Sequence, residues 1–204
     1  MDFLIVICIS YLSGSIPFGI ILTKTFGKKN LTKIGSGNIG ATNVLRSGYK
    51  FLALFTLMLD ILKGYLPVII VQKYFPELIY LSCMVVFLGH IFPIWLKFKG
   101  GKGVATYLGI LFALSHQLSF LFIATWIVVF LIFRYSSLAS MFSSLTVFII
   151  SLIRETISPI FSSTINSSSN NLTIFLFIFF ILIIFTHKKN IHNLKNKIEP
   201  KIKL

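Results

Sequence analysis

Apolar stretches of nearly membrane-spanning length recur along almost the whole 204-residue chain, and they limit its fold more than any other feature. The hydrocarbon core of a bilayer takes about 20 apolar residues of α-helix. Hydrophobic residues make up 56% of the chain, and the long runs carry no polar stripe at helical spacing, as a soluble amphipathic helix would. The sequence therefore predicts an all-α integral membrane protein.

The charges are strongly unbalanced, with 19 Lys and Arg against 5 Asp and Glu and a net charge of +14. In a soluble protein this excess would suggest nucleic-acid binding. Here the bases lie mostly in loops between apolar runs, which the positive-inside rule explains better. Cys8 and Cys83 lie inside apolar runs without CxxC spacing, so we expect neither a disulfide framework nor a thiolate metal site.

Seven helices in a single membrane domain, residues 1–204, account for the apolar runs. We place the spans near residues 3–22, 51–71, 78–96, 103–116, 118–133, 138–153 and 172–186. Residues 103–133 could form one long tilted helix, but the polar triplet Ser115-His116-Gln117 could turn the chain at its middle. The split is favoured because it puts Arg134 and the basic tail on the cytoplasmic side with the first basic loop. The bases of that loop are Lys24, Lys28, Lys29, Lys33, Arg46 and Lys50. This topology places the N-terminus outside and the C-terminus in the cytoplasm.

The same topology collects every chemically suggestive polar segment on the cytoplasmic face. These segments are residues 35–46, 98–103, 134–140 and 187–199. The outer side receives Lys73 and Arg154, each near an acid, and an external loop over residues 162–171. The first span is expected to be uncleaved, because Asp2 stands where a signal peptide carries bases. We therefore predict one site at the cytoplasmic membrane surface.

The first of these segments, residues 35–46, has a composition typical of a phosphate site. Arg46 can hold a phosphate with two hydrogen bonds, and the Ser36 hydroxyl can donate to a further oxygen. Small residues between them let backbone amides approach an anion. We expect Gly37, Asn38, Gly40 and Asn43 to complete the binding surface. The plainer alternative is a solvated turn before a helix capped by Thr42 or Asn43.

A second glycine segment connects two spans. Gly100, Gly101 and Gly103 permit a tight nest of backbone amides, with Lys102 as a point charge at a helix start. The spacing is not that of a Walker A loop, which disfavours ATP. The alternative is a short turn with lysines placed by the positive-inside rule. We expect His90, which precedes this segment, to be a buried histidine with its ring nitrogens satisfied.

Further polar pairs stand at helical spacing. Asp60 and Lys63 share a helix face and can form an ion pair, with either a functional or a structural role. Two other pairs, Ser137 with Ser140 and His187 with Asn190, can each face one cavity. The chain has no His-x4-Asp pair, which acyl-CoA-dependent glycerolipid acyltransferases use, and no cluster with metal-ligand spacing. We expect no cofactor and few general bases besides His187 or the phosphate oxygens of a substrate.

These motifs, in order, resemble the bacterial acyl-phosphate:glycerol-3-phosphate acyltransferase family, PlsY. The resemblance covers nearly the whole chain. It rests on residues 13–19, 35–46, 60–64, 89–106 and 134–140, on His187-x-x-Asn190, and on Glu199-Pro200.

The resemblance implies a seven-helix membrane enzyme that moves an acyl group from acyl-phosphate to glycerol 3-phosphate. The products would be lysophosphatidic acid and phosphate, the location the bacterial inner membrane, and a soluble enzyme would make the donor. The family's essential serine and arginine correspond to Ser36 and Arg46, and its phosphate-contacting lysine to Lys102. Its glycine loop for glycerol 3-phosphate corresponds to Gly100, Gly101 and Gly103. The family's substrate-contacting serine corresponds to Ser140, its His/Asn pair to His187 and Asn190, and a glutamate tied to structural integrity to Glu199.

Two positions depart from the family pattern. Lys197 stands where we expect a small residue, and Ser136 replaces a more usual apolar residue. The first departure leaves the conformation of the tail open. Two other functional classes remain as alternatives, namely a transporter or channel for an anionic solute and a structural membrane subunit. We see no internal repeat of the kind that transporters usually show.

Overall fold

The computed structural model describes residues 1–27, 31, 36–161 and 168–202, and within these the side chains of residues 158–161 and 168–171 lie outside the description. Lys28, Lys29, Lys33, Gly35 and residues 162–167 of the expected external loop therefore lie outside the described residues. The chain forms two compact units, Met1–His116 and Gln117–Leu204. The first unit contains α1 (Asp2–Ser15), α2 (Phe18–Thr25), α3 (Ala41–Arg46), α4 (Lys50–Tyr74), α5 (Ile79–Ile91) and α6 (Val104–Leu114). The second contains α7 (His116–Phe133), α8 (Ser136–Phe161), α9 (Ser168–Thr186) and α10 (Lys188–Lys195).

The described residues are helical where the apolar runs lie, which confirms the all-α membrane fold. Among the described residues, four segments are long and apolar enough to cross a membrane: Lys50–Tyr74, Pro76–Leu96, His116–Phe133 and Ser136–Ile157. The number is six if each bent helix pair, α1 with α2 and α9 with α10, is counted as one span. The predicted span over 103–116 corresponds to α6, whose 11 residues reach only about 16 Å of a ~30 Å core. The count of seven and the orientation stay predictions.

The first span differs from its prediction as one continuous helix over 3–22. It is broken between Ser15 and Phe18 and bends by 41°. Pro17 has no amide hydrogen, and it forces Ile16 before it into extended backbone. The break leaves the Ile16 carbonyl open to a second donor, and Lys63 of α4 supplies it: Nζ donates to this oxygen at 2.6 Å.

Lys63 also pairs with Asp60, as the helical spacing predicts, with Nζ 2.8 Å from Oδ1. Both side chains are buried. The hydroxyl of Ser13 in turn donates to the Lys63 carbonyl at 3.0 Å. The ion pair is thus a structural tie between α4 and the break in the first span.

Glycines bring two helix pairs of the first unit into backbone contact. A Cβ on Gly14 would meet the backbone of Val86, and one on Gly89 would meet the Tyr11 carbonyl. These contacts join α1 to α5. Gly64 and Gly109 join α4 to α6 in the same reciprocal way, against the backbones of Thr106 and Ile61. Small residues at such crossings are a common device of membrane helix packing.

Two other boundaries bear on the predictions. The chain does break at the polar triplet, because Ser115 is extended between α6 and α7. The last residues of the loop expected over 162–171 are helical instead, because α9 begins at Ser168. In the second unit α8 packs on α9 through a hydrogen bond between the Ser151 and Thr173 hydroxyls, 2.8 Å apart.

Candidate active site

The Asn43 side chain organises the first polar loop. Its Nδ2 donates to the carbonyls of Leu31 at 3.0 Å and Asn38 at 2.7 Å, and its Oδ1 accepts from the Ser36 amide at 3.1 Å. The residue is 1% exposed. Sequence reasoning placed Asn43 at the substrate, whereas this geometry gives it the task of holding the loop that carries Ser36.

The cap of α3 differs from the alternative considered for this segment. Thr42 and Asn43 lie inside α3, and the N-cap is Gly40, which has no side chain to cap with. The Gly40 amide instead donates to Oδ1 of Asn38 at 3.0 Å. Gly37 has a φ of 71°, in the left-handed region that favours glycine. Asn38, Gly40 and Gly37 therefore shape the loop through its own backbone.

Packing from α2 and α4 fixes this loop in place. Gly19 of α2 leaves room for the Ile39 carbonyl, since a Cβ there would collide with that oxygen. Leu31, Val44 and Ala53 form a buried apolar cluster beneath α3. Ser36 and Arg46, at the two ends of the segment, are both only partly buried. Part of each residue is therefore exposed, as a phosphate-binding role requires.

The second loop is held to the end of α5 by its own glycines. The Gly100 amide donates to the Ile91 carbonyl at 2.9 Å, and the Gly101 amide donates to the His90 carbonyl at 3.1 Å. These two amides thus satisfy the last carbonyls of a helix and do not form the predicted nest. Lys102 follows, partly buried, immediately before the positive end of α6.

His90 is buried, as expected, but its polar atoms are not all satisfied. The residue is 4% exposed. Its Nδ1 has no hydrogen-bond partner among the described residues. The expectation of a fully satisfied histidine was therefore wrong.

In the second unit, His187 stands at the junction of α9 and α10. Its Nδ1 lies 2.8 Å from the Ile183 carbonyl. A carbonyl only accepts, so Nδ1 carries the hydrogen, and in the neutral ring Nε2 has the lone pair. The ring is buried. The tautomer is therefore set for Nε2 to accept a hydrogen bond or a proton.

The Glu199 carboxylate joins three elements around Asn190. Its Oε1 accepts from Nδ2 of Asn190 at 2.7 Å and from the Ser137 hydroxyl at 2.9 Å. Its Oε2 accepts from Nδ2 of Asn193 at 3.3 Å. The residue is 6% exposed. This carboxylate fixes the tail against α8 and orients Asn190.

The tail conformation explains the departure at Lys197. This residue has a φ of 58°, where a side chain is strained and glycine is not. Glycine, the smallest residue, would adopt this φ without strain, which agrees with the small residue expected two positions before the glutamate. The turn brings Glu199 back to α8, and the Ile202 amide donates to the Arg134 carbonyl at 3.1 Å.

A Glu199→Gln variant should be less stable by about 1–3 kcal/mol, because the new amide points an N–H at one of three donors. We expect a lower melting temperature in detergent. Glu77→Gln, the same change at an exposed residue, is the control. A Glu199→Gln melting curve that overlays the wild-type curve would contradict this role.

Ser140, on α8, makes two hydrogen bonds. Its hydroxyl donates to the Ser136 carbonyl at 2.8 Å and accepts from Nε1 of Trp126 at 3.1 Å. Sequence reasoning missed Trp126, which lies in an apolar run and stacks on Phe130 with ring centroids 5.0 Å apart. Spacing along one helix cannot reveal such a partner on another helix.

The predicted residues thus fall into two groups. The first unit contains Ser36, Gly37, Asn38, Gly40, Asn43 and Arg46 on one loop, and Gly100, Gly101, Lys102 and Gly103 on another. The second unit contains Ser140, His187 and Asn190. Within the described residues, no group of three His, Cys, Asp or Glu side chains could hold a metal ion.

Known proteins resemble this chain over nearly its whole length. The sequence model of the glycerol-3-phosphate acyltransferase family matches residues 4–197. A glycerol-3-phosphate acyltransferase of Pelagibacter ubique is 52% identical over 204 residues, which is 100% of both chains. The chain belongs to the PlsY family of glycerol-3-phosphate acyltransferases.

Solved PlsY structures agree with the fold. The glycerol 3-phosphate form of the integral membrane enzyme PlsY (YgiH) has a TM-score of 0.87 and 33% identity, covering 100% of this chain and 96% of that one. Its lysophosphatidic acid form has a TM-score of 0.85 and 32% identity, with the same coverage. This chain is therefore an integral membrane glycerol-3-phosphate acyltransferase of the PlsY family.

Proposed function

We propose that the acyl donor is an acyl-phosphate and that the products are lysophosphatidic acid and inorganic phosphate. The observation that carries this proposal is the segment held by Asn43, which has Ser36 and Arg46, both partly exposed, at its two ends. Arg46 suits a dianionic phosphate better than a thioester, which has no such group near the reacting carbonyl.

The reaction needs little nucleophilic help. The glycerol hydroxyl oxygen attacks the acyl carbonyl carbon, an ester C–O bond forms, and the bond to the phosphate oxygen breaks. The hydroxyl proton leaves with the phosphate as hydrogen phosphate. Because phosphate is already a good leaving group, the enzyme chiefly has to position two anionic molecules and offset their repulsion.

The residues divide these tasks between the two substrates. We assign the donor phosphate to Ser36, Arg46 and the nearby backbone, including Gly37, Asn38 and Gly40, with Asn43 holding the loop. We assign glycerol 3-phosphate to Lys102, on the loop that Gly100, Gly101 and Gly103 form. Ser140, His187 and Asn190 are assigned to the same substrate in the second unit.

A phosphate oxygen of the donor is the proposed acceptor of the hydroxyl proton. The scarcity of carboxylates supports this choice, and the remaining candidate base is His187, whose Nε2 has the lone pair. The site lies on the cytoplasmic face of a bacterial inner membrane, which is the side where the positive-inside rule places the basic loops. A soluble enzyme would supply the acyl-phosphate.

The proposal is tested by giving palmitoyl-phosphate to the purified protein in detergent, with and without glycerol 3-phosphate. Phosphate release that requires glycerol 3-phosphate, together with lysophosphatidic acid formation, is the expected result. Arg46→Ala should abolish both, whereas Lys50→Ala, an exposed cation at the start of α4, should leave both unchanged. Folded wild-type protein that makes no product with any acyl length would overturn the donor assignment.

A further inference from the structure

The loop that carries Lys102 rests on two rings of α5. A Cβ on Gly101 would collide with the His90 imidazole, and all three of its nearest neighbours are ring atoms. A Cβ on Gly103 would collide with the Phe87 ring in the same way. His90 and Phe87 are three residues apart on α5, so both rings lie on one helix face.

These contacts are specific to the two glycines that flank Lys102. At Gly100 an added Cβ would instead meet the main-chain oxygens of His90 and Ile91 and the Pro93 ring. Gly100 therefore needs to be small for reasons that do not involve the imidazole, whereas Gly101 needs to be small because of it. The distinction allows the contribution of the imidazole to be measured separately.

Packing stability alone does not favour a histidine at this place. Its Nδ1 is buried without a hydrogen-bond partner among the described residues. An unsatisfied buried nitrogen is destabilising, and an apolar ring of similar size would avoid that cost. The presence of a histidine here therefore calls for an explanation beyond apolar packing.

We propose that His90 and Phe87 are positioning residues whose rings form a floor beneath Gly101 and Gly103 and thereby set where Lys102 meets the phosphate of glycerol 3-phosphate. This proposal rests on the proposed function of Lys102. The two rings set the height of the loop above α5. The hydrogen bonds from the Gly101 and Gly100 amides to the carbonyls of His90 and Ile91 set its direction. A lysine on a flexible stem gains phosphate affinity when the backbone that carries it is held in this way.

A double-mutant cycle between His90 and Gly101 tests the floor. Gly101→Ala should raise KM for glycerol 3-phosphate about 10-fold or more, because the new methyl pushes the loop off the imidazole. In a His90→Ala background the same change should cost less than about 3-fold, since the methyl enters the space that the ring leaves. Gly100→Ala is the matched control, and it should change KM for glycerol 3-phosphate by the same factor in the wild-type and His90→Ala backgrounds.

Equal effects of Gly101→Ala in the two backgrounds, or equal relief for Gly100→Ala, would overturn the proposal. If His90→Ala does not fold, His90→Ser supplies the same space and the same comparison. Binding is also followed as the rise in melting temperature that glycerol 3-phosphate causes without any acyl donor. A wild-type protein that shows this shift but transfers no acyl group would refute the donor assignment, and the cycle would still test the floor through the shift.

Discussion

Asn43→Asp, a change of one NH2 group to oxygen, should lower kcat/KM by roughly 100-fold or more. The Ser36 amide can still donate to the new side chain, but the carbonyls of Leu31 and Asn38 lose their donor and face a carboxylate oxygen. Each carbonyl left without a hydrogen-bond donor costs about 1–3 kcal/mol. A loss of roughly 3 kcal/mol in transition-state stabilisation already lowers the rate by a factor of about 100. Burial of a carboxylate adds to this cost.

The expected loss is tested with steady-state kinetics on protein that elutes as the wild type does. Asn196→Asp makes the same chemical change at an exposed amide of the tail and should keep wild-type kinetics. An Asn43→Asp enzyme with a third or more of wild-type kcat/KM would show that the hydrogen bonds of the Asn43 side-chain amide do not hold the loop.

Lys63→Met should destabilise the protein by about 3–5 kcal/mol, because it leaves the buried Asp60 carboxylate without its partner. The change also removes the donor to the Ile16 carbonyl at the break of the first span. Asp60→Leu together with Lys63→Met should be milder than Lys63→Met alone, since no buried charge then remains.

Thermal unfolding in one detergent measures all of these variants. Lys73→Met removes an exposed lysine from the same helix and should leave the melting temperature unchanged. A double variant less stable than Lys63→Met would show that the pair is not a simple structural tie.

The helical segments could be located from the sequence because a long apolar run indicates a membrane helix without reference to any other part of the chain. The break at Ser115 was predictable, since polar residues and loop charges both required it. The break at Ile16 was not predicted, because Pro17 sits in an apolar run and proline occurs inside membrane helices as well. The carbonyl that this break exposes is bound by Lys63, 47 residues away along the chain.

The candidate site was predictable as residue types but not as roles. Arg46 and Lys102 could be named because few other residues bind phosphate as well. The roles of Asn43 and Gly101 depend on partners that no local pattern encodes: a carbonyl at Leu31 and an imidazole at His90. Glu199 could be assigned a structural part by resemblance alone, and its contacts with Ser137, Asn190 and Asn193 give the physical reason.

The reciprocal glycine contacts have a consequence for how the chain is made. Gly14 and Gly89 join helices that leave the ribosome about 75 residues apart, a delay of roughly 4–15 s at 5–20 residues per second. During that interval α1 must remain in the bilayer with its glycine face turned to lipid or to an insertion factor. The polypeptide thus enters the membrane before its first helix can find its partner, and assembly of this unit has to follow insertion.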